Sequence, residues 1–385
     1  MTPEKLYINY LDSVRGLAAF AVFWSHFCGG YGKTLISLLE GTPFSIFVDG
    51  FGGVSVFFVL SGLVLSLNTF HGSRELSIVA FYIRRFFRIT VPFTIILIIV
   101  FFAFKTGYIR HDTDPHISDW LYGRWADAHK MNLLSFFQQA ALIIPDVNQV
   151  LIPQSWTLFV ELRLSLLMPF LILIAIRSTL WLTLFVVVSI AISETNFFLV
   201  HFFWGILIAK YHYRLIALGK KMSWLLKTPL LALGILLLSS NRPIIDLGIK
   251  VSQTSWILSG LGAALLLALF TGSDLAKKIL EVGVLRFLGR ISYSMYLLHG
   301  MVLITITPLI IKLLNYLGIA GLAAYWLSIV PTIGIVLLIS SLAFLFIEKP
   351  SVSMGRFVSQ KYVALRNKKF QSPLGHRSSQ ITLDT

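Results

Sequence analysis

An all-α, polytopic membrane protein of about ten transmembrane helices is the fold class this sequence predicts, on three observations. Of 385 residues, 56% are hydrophobic and only 13% charged, far from the roughly quarter-charged balance of a soluble globular domain. Mean hydropathy is +0.81. The apolar residues fall into runs long enough to cross a hydrocarbon layer of about 30 Å.

Those runs are approximately 11–29, 51–70, 89–105, 156–176, 179–194, 196–213, 229–240 with its flanks, 254–271, 290–314 and 321–347. If the N-terminus is cytoplasmic, 23 Lys and Arg residues lie on the cytoplasmic side and eight on the other, with Arg163 inside a helix. That asymmetry obeys the positive-inside rule and puts both termini in the cytoplasm. It also accounts for the +15 net charge, so no nucleic acid is needed as a partner. Residues 1–348 form the transmembrane domain, and 349–385 read as a basic, disordered cytoplasmic tail. Asp12 and Arg15 interrupt any signal-peptide core, so the first helix is expected to remain as an anchor. The single Cys28 excludes a disulfide within the chain and a multi-cysteine metal site, and no metal is expected.

The first helix, LDSVRGLAAFAVFWSHF, places Arg15 and His26 in an apolar run. Eleven residues at 100° each bring both onto one face, roughly 16 Å apart along the axis. Ionisable residues at membrane depth are costly and face a protein or aqueous interior, so this helix reads as one wall of a site. The second helix, GGVSVFFVLSGLVLS, mixes Gly53, Ser55, Ser61 and Gly62 with bulky residues, a pattern that allows close helix packing and makes Ser55 a possible lining residue. Before the third helix, FYIRRFFRITVP holds Arg84, Arg85 and Arg88. Such residues set topology, but Arg85 and Arg88, three apart on one helical face, could also clamp a diphosphate.

The external stretch 106–155 carries Asp112, Asp114, Asp119, Asp127 and Asp146, with Trp120, Tyr122 and Trp125. It reads either as an aromatic belt or as a platform on which a sugar ring stacks, and MNLLSFFQQAALII reads as an interfacial helix. In the fourth helix, Glu161 lies at a depth where it could meet His26 and fix its tautomer. An ion pair with Arg163 or Arg15 is the alternative. The ninth helix, LGRISYSMYLLHG, supplies Ser292, Tyr293, Ser294, Tyr296 and His299, the last of them near mid-membrane; Ser292, Tyr293 and His299 are possible site lining. His201 in FLVHFFWG carries a weaker signal.

Taken together, LDSVRGLAAF with its spaced Arg15 and His26, GGVSVFFVLSG, RRFFR, WTLFVE, LGRISYSMYLLH and IEKP resemble the acyltransferase-3 family of membrane O-acyltransferases, over nearly the whole chain. The resemblance implies transfer of an acyl group, commonly acetyl from acetyl-CoA as co-substrate with no bound cofactor, to a hydroxyl of a surface or exported glycan or lipid-linked saccharide. It implies a bacterial inner membrane. By position it makes Arg15 and His26 essential, associates Arg85 and Arg88 with the donor, and matches Glu161 to the first acid of the fourth-helix motif. Two departures stand out: Ser55 where many members carry an acid, and Leu162 where many carry a second one. On that basis His26 would take the acceptor's proton, oriented by Glu161, while Arg15 would act on the acyl or pantetheine end of the donor. A covalent acyl-histidine intermediate fits the residues equally. The alternative from another class is a transporter of a polar or lipid-linked solute, using Arg15, His26 and Glu161 as an ion or proton relay. A non-catalytic sensor is a third reading.

Overall fold

The computed structural model describes residues 8–31, 38–39, 44, 48–72, 77–106, 118–123, 125, 132–142, 151–193, 197–240 and 253–371. Among these the chain is helical throughout. The helices are α1 Asn9–Tyr31, α2 Phe51–His71, α3 Ile78–Lys105, α4 Asp119–Gly123, α5 Leu133–Ala141, α6 Trp156–Arg177 and α7 Thr179–Ile192. They continue with α8 Leu199–Lys210, α9 His212–Lys221, α10 Trp224–Leu238, α11 Gln253–Thr271, α12 Asp274–Leu280, α13 Gly283–Tyr316, α14 Leu322–Ala343 and α15 Lys349–Gln371.

Each of the ten expected spans has its helix. Among the described residues, six helical stretches are long and apolar enough to cross a membrane, and α7, α8 and α10 are shorter apolar helices. Most exposed positions on the long helices are apolar, as a bilayer requires: Val330 and Phe346 are each 75% exposed, with Arg163 of α6 an exposed exception. The link between α6 and α7 is a single residue. Ser178 takes an extended conformation and its hydroxyl accepts from the Leu180 and Trp181 amides, so it ends one helix and caps the next. The sixth span stops at Lys210, short of the expected 213, and α9 begins at His212 after a turn at Tyr211.

Two helix crossings set the centre of the bundle. A Cβ on Gly16 would lie 2.4 Å from the Gly289 nitrogen, so α1 and α13 touch backbone to backbone. Gly62 of α2 meets Phe202 in the same way, where a Cβ would fall 2.4 Å from its carbonyl oxygen. Around them, Ala19, Phe23, Phe93, Leu97, Met295 and Leu303 fill one core, while Phe58, Met168, Leu171 and Phe202 fill another.

The structure corrects the sequence reading in two places. The arginine stretch does not precede the third helix but lies inside it, because α3 begins at Ile78 and runs for 28 residues. Residues 349–371 of the supposed disordered tail form α15. Its first half packs on α3, where Gly355 sits against Phe87. The helix persists because α14 feeds directly into it through a π-helical turn, Phe344–Glu348. Pro350 has no N–H to give the carbonyl four residues back. The widened turn accommodates this, with the Lys349 amide bonding to Phe344 O. Residues 372–385 lie outside the described residues, as do Asp112, Asp114, Asp127 and Asp146.

α5 is the helix expected at the interface. Asn132 caps it by accepting from the Ser135 amide at 2.9 Å. One face packs through Phe136 against Phe101, while Leu133, Leu134 and Phe137 are exposed.

Candidate active site

Arg15 and His26 stand near opposite ends of α1, each in a polar cluster with neighbours from α2, α3, α6 or α13, and the two clusters together are termed the seam. At the Asn9 end, Arg15 Nη1 donates to Asp12 Oδ1 at 2.8 Å, one turn earlier on the same helix. Glu161 is within electrostatic reach of Arg15, Arg85 and Arg88, and Arg88 of both other arginines. Arg85 is buried: its Nη2 donates to Glu161 Oε1 and to Ser165 Oγ, both at 2.7 Å, while its Nε has no hydrogen-bond partner among the described residues. Ser61 Oγ donates to the same Glu161 oxygen at 3.1 Å.

The two arginines expected to act as a pair are therefore placed differently. Arg88 is half-buried and, among the described residues, makes no hydrogen bond or ion pair of its own. Next to it, the Tyr293 hydroxyl donates to Ile89 O at 2.7 Å and ties α13 to α3. Glu348, buried on the π turn, accepts from Ser294 Oγ at 2.9 Å and lies in the field of Arg88 and Arg15. Arg88, Glu161 and Glu348 thus join Asp12 as the charged neighbours of Arg15, where a bilayer core offers no water.

At the Tyr31 end, His26 meets His299 rather than Glu161. Nδ1 of His26 is 2.9 Å from Nε2 of His299, and Nδ1 of His299 is 3.0 Å from Met295 O. Glu161 was expected beside His26 from its depth along α6. A carboxylate in the bundle interior is held better by a fixed cation than by a neutral ring. The long Arg85 side chain reaches it from α3.

Trp120 stands edge-on to His26, ring centroids 5.5 Å apart, and remains 42% exposed. It is tethered there. Ser118 Oγ donates to Gly29 O at 2.8 Å, and the Ser118 amide donates to Gly30 O at 3.1 Å, clipping α4 to the end of α1. Trp125 is buried instead, its indole N–H bonded to Leu151 O.

Of the other candidates, Ser292 bonds to Gly289 O within its own helix. Ser55 is wholly buried and lies 3.2 Å from His201 Nε2, so it belongs to the α2–α8 contact. Ser61, six residues on and about 120° further round the helix, is the α2 serine that faces the seam. Sequence reasoning missed Asp12, whose spacing from Arg15 carried the signal, and Glu348, the lone acid of an apolar run.

No curated protein and no solved structure matched the chain in comparison. A family model describing an acyltransferase domain matches residues 8–345. That stretch contains every seam residue described above except Glu348, and the protein is a membrane acyltransferase: the chain belongs to the acyltransferase-3 family.

Proposed function

We propose that this protein carries an acyl group, acetyl from acetyl-CoA being the expected donor, to a hydroxyl of an exported or surface glycan on the other side of a bacterial inner membrane. The observation that carries the reading is the seam itself. One end offers a half-buried guanidinium, Arg88, without an ion-pair partner among the described residues. The other offers an imidazole beside an exposed indole.

Arg88 holds a donor phosphate by charge-assisted hydrogen bonds. Arg85, spent on Glu161, fixes the α3–α6 geometry beneath it. Arg15, in the field of Arg88 and Glu161 and on the same helix as His26, acts on the pantetheine or acyl end. His26 then accepts the acceptor hydroxyl's proton as that oxygen forms the new C–O bond; the C–S bond breaks, and the proton passes on to the departing thiolate. A positioned base of this kind contributes typically about 10² to 10⁴-fold.

The test is incorporation of label from radiolabelled acetyl-CoA into cell-surface polysaccharide, comparing wild type with His26→Ala and Arg88→Ala at matched membrane levels. Transfer is expected to disappear in the first and to need far more donor in the second. An undiminished His26→Ala removes the histidine from the mechanism, and no labelling in the wild type removes the acetyl donor or the glycan acceptor.

A further inference from the structure

We infer that His299 is the positioning residue for His26, holding it in the tautomer whose Nε2 is the proton-accepting atom. The inference rests on the reading of His26 as the base.

A backbone carbonyl only accepts, so Met295 O fixes the His299 hydrogen on Nδ1. A neutral imidazole has one N–H, which leaves His299 Nε2 as an acceptor. His26 Nδ1, 2.9 Å away, is then the donor, and the His26 lone pair resides on Nε2. Carbonyl, His299 and His26 form a directed chain in which each hydrogen has one place to be.

The chain is held rigidly. His299 is wholly buried, edge-on to Phe23 with centroids 6.3 Å apart and 5.9 Å from the Tyr296 ring. Tyr296 is itself fixed, since Thr157 Oγ1 donates to its hydroxyl at 2.8 Å. Met295 and His299 lie one turn apart on α13, so the carbonyl and the ring it orients cannot separate.

A neutral ring suits this position better than a carboxylate, which would need its own cation in the bundle interior. When Nε2 of His26 takes up the proton, the existing Nδ1–H bond to His299 becomes charge-assisted with no atom having to move. His299 thus plays the part of an orienting group, and it never touches the substrate.

Two measurements test the assignment on purified full-length protein in lipid vesicles. The first is nitrogen-15 histidine NMR, with His26 assigned by its loss in His26→Gln. Wild-type His26 is expected to be protonated on Nδ1 and unprotonated on Nε2, and to lose that single tautomer in His299→Ala. The second is turnover. His299→Ala is expected to lower kcat on the order of 10²-fold or more with KM nearly unchanged. His299→Gln, whose Oε1 stands where Nε2 stood and accepts the same hydrogen, restores at least a tenth of wild-type kcat and covers the case in which the alanine variant does not fold. A wild-type His26 carrying its proton on Nε2, or His299→Ala with wild-type kcat, overturns the proposal. If His26→Ala keeps its turnover while the NMR finds the Nδ1–H tautomer, the base reading fails and the tautomer assignment survives.

Discussion

Glu161 and Arg85 show how a buried charge chooses its partner. The carboxylate is 22% exposed and the guanidinium 9%, and removing one member of such a pair leaves the other uncompensated, at a cost of about 3–5 kcal/mol. Glu161→Ala and Arg85→Ala should therefore each lower the thermal midpoint of the detergent-solubilised protein sharply. The double variant Glu161→Leu with Arg85→Met should recover most of that stability; a double variant as unstable as the singles would show that the pair is not self-contained. His212 belongs to a second polar group, outside the membrane spans, at the start of α9. Burial first, and then the nearby His71 and Lys277 charges, hold it below its ordinary value of 6.5. A histidine depressed in this way binds fewer protons folded than unfolded, so its stabilising share is present above pH 6.5 and is lost as pH falls below it. The thermal midpoint should drop between pH 7 and pH 5, and by less in His212→Gln; an equal drop in both would assign the dependence elsewhere. Arg15 and His26 were legible in the sequence because residue type and spacing along one helix suffice to place them on one face. Of their partners, His299 was not legible, since it follows from how α1 is rotated against α13, while Asp12 was legible in its three-residue spacing from Arg15 but competed with more distant charges.

Helix crossings explain why small residues fall where they do. Gly16 and Gly289 let the α1 and α13 backbones meet, and a Cβ on Gly289 would lie 2.4 Å from Asp12 O. Gly289→Leu should push the helices apart and destabilise by about 1–3 kcal/mol or more. It should also move Asp12 and Arg15, so transfer is expected to fall even at a temperature where the variant stays folded. Unchanged thermal midpoint and activity would mean that the crossing relaxes freely. The helices of all ten expected spans were readable from hydropathy because lipid exposure and core burial both demand apolar side chains, although only six are by themselves long and apolar enough to cross a membrane among the described residues. The ends were less readable. α3 begins 11 residues before its apolar run, because Arg84, Arg85 and Arg88 are compatible with a helix whose first turns face polar groups and other protein. The continuation of α14 into α15 was hidden by Pro350, which ordinarily ends a helix but here follows a π turn that absorbs its missing donor.

For the molecule as a whole, the basic asymmetry along the chain makes a prediction about sides. In a Cys28→Ser background, exposed single cysteines at Lys220→Cys and Lys361→Cys should react with an impermeant maleimide from one face of the membrane, and Asp119→Cys from the other. Labelling of all three from one face would overturn the proposed topology. Hydropathy cannot report how ten helices are arranged around one another, which is why the seam became visible only when α1, α3, α6 and α13 were seen together. Its two ends are joined by continuous helices: α1 carries Arg15 and His26, and α13 carries Tyr293, Ser294 and His299. The spacing between charge and base is thus set by helical rise, about 1.5 Å per residue, and not by loops that could stretch. The protein is in this sense a ruler. One alanine inserted between Arg15 and His26 would lengthen the gauge by only about 1.5 Å but swing the imidazole about 100° off its mark. A donor whose arm is cut to the original length would then reach the right depth on the wrong side of the helix.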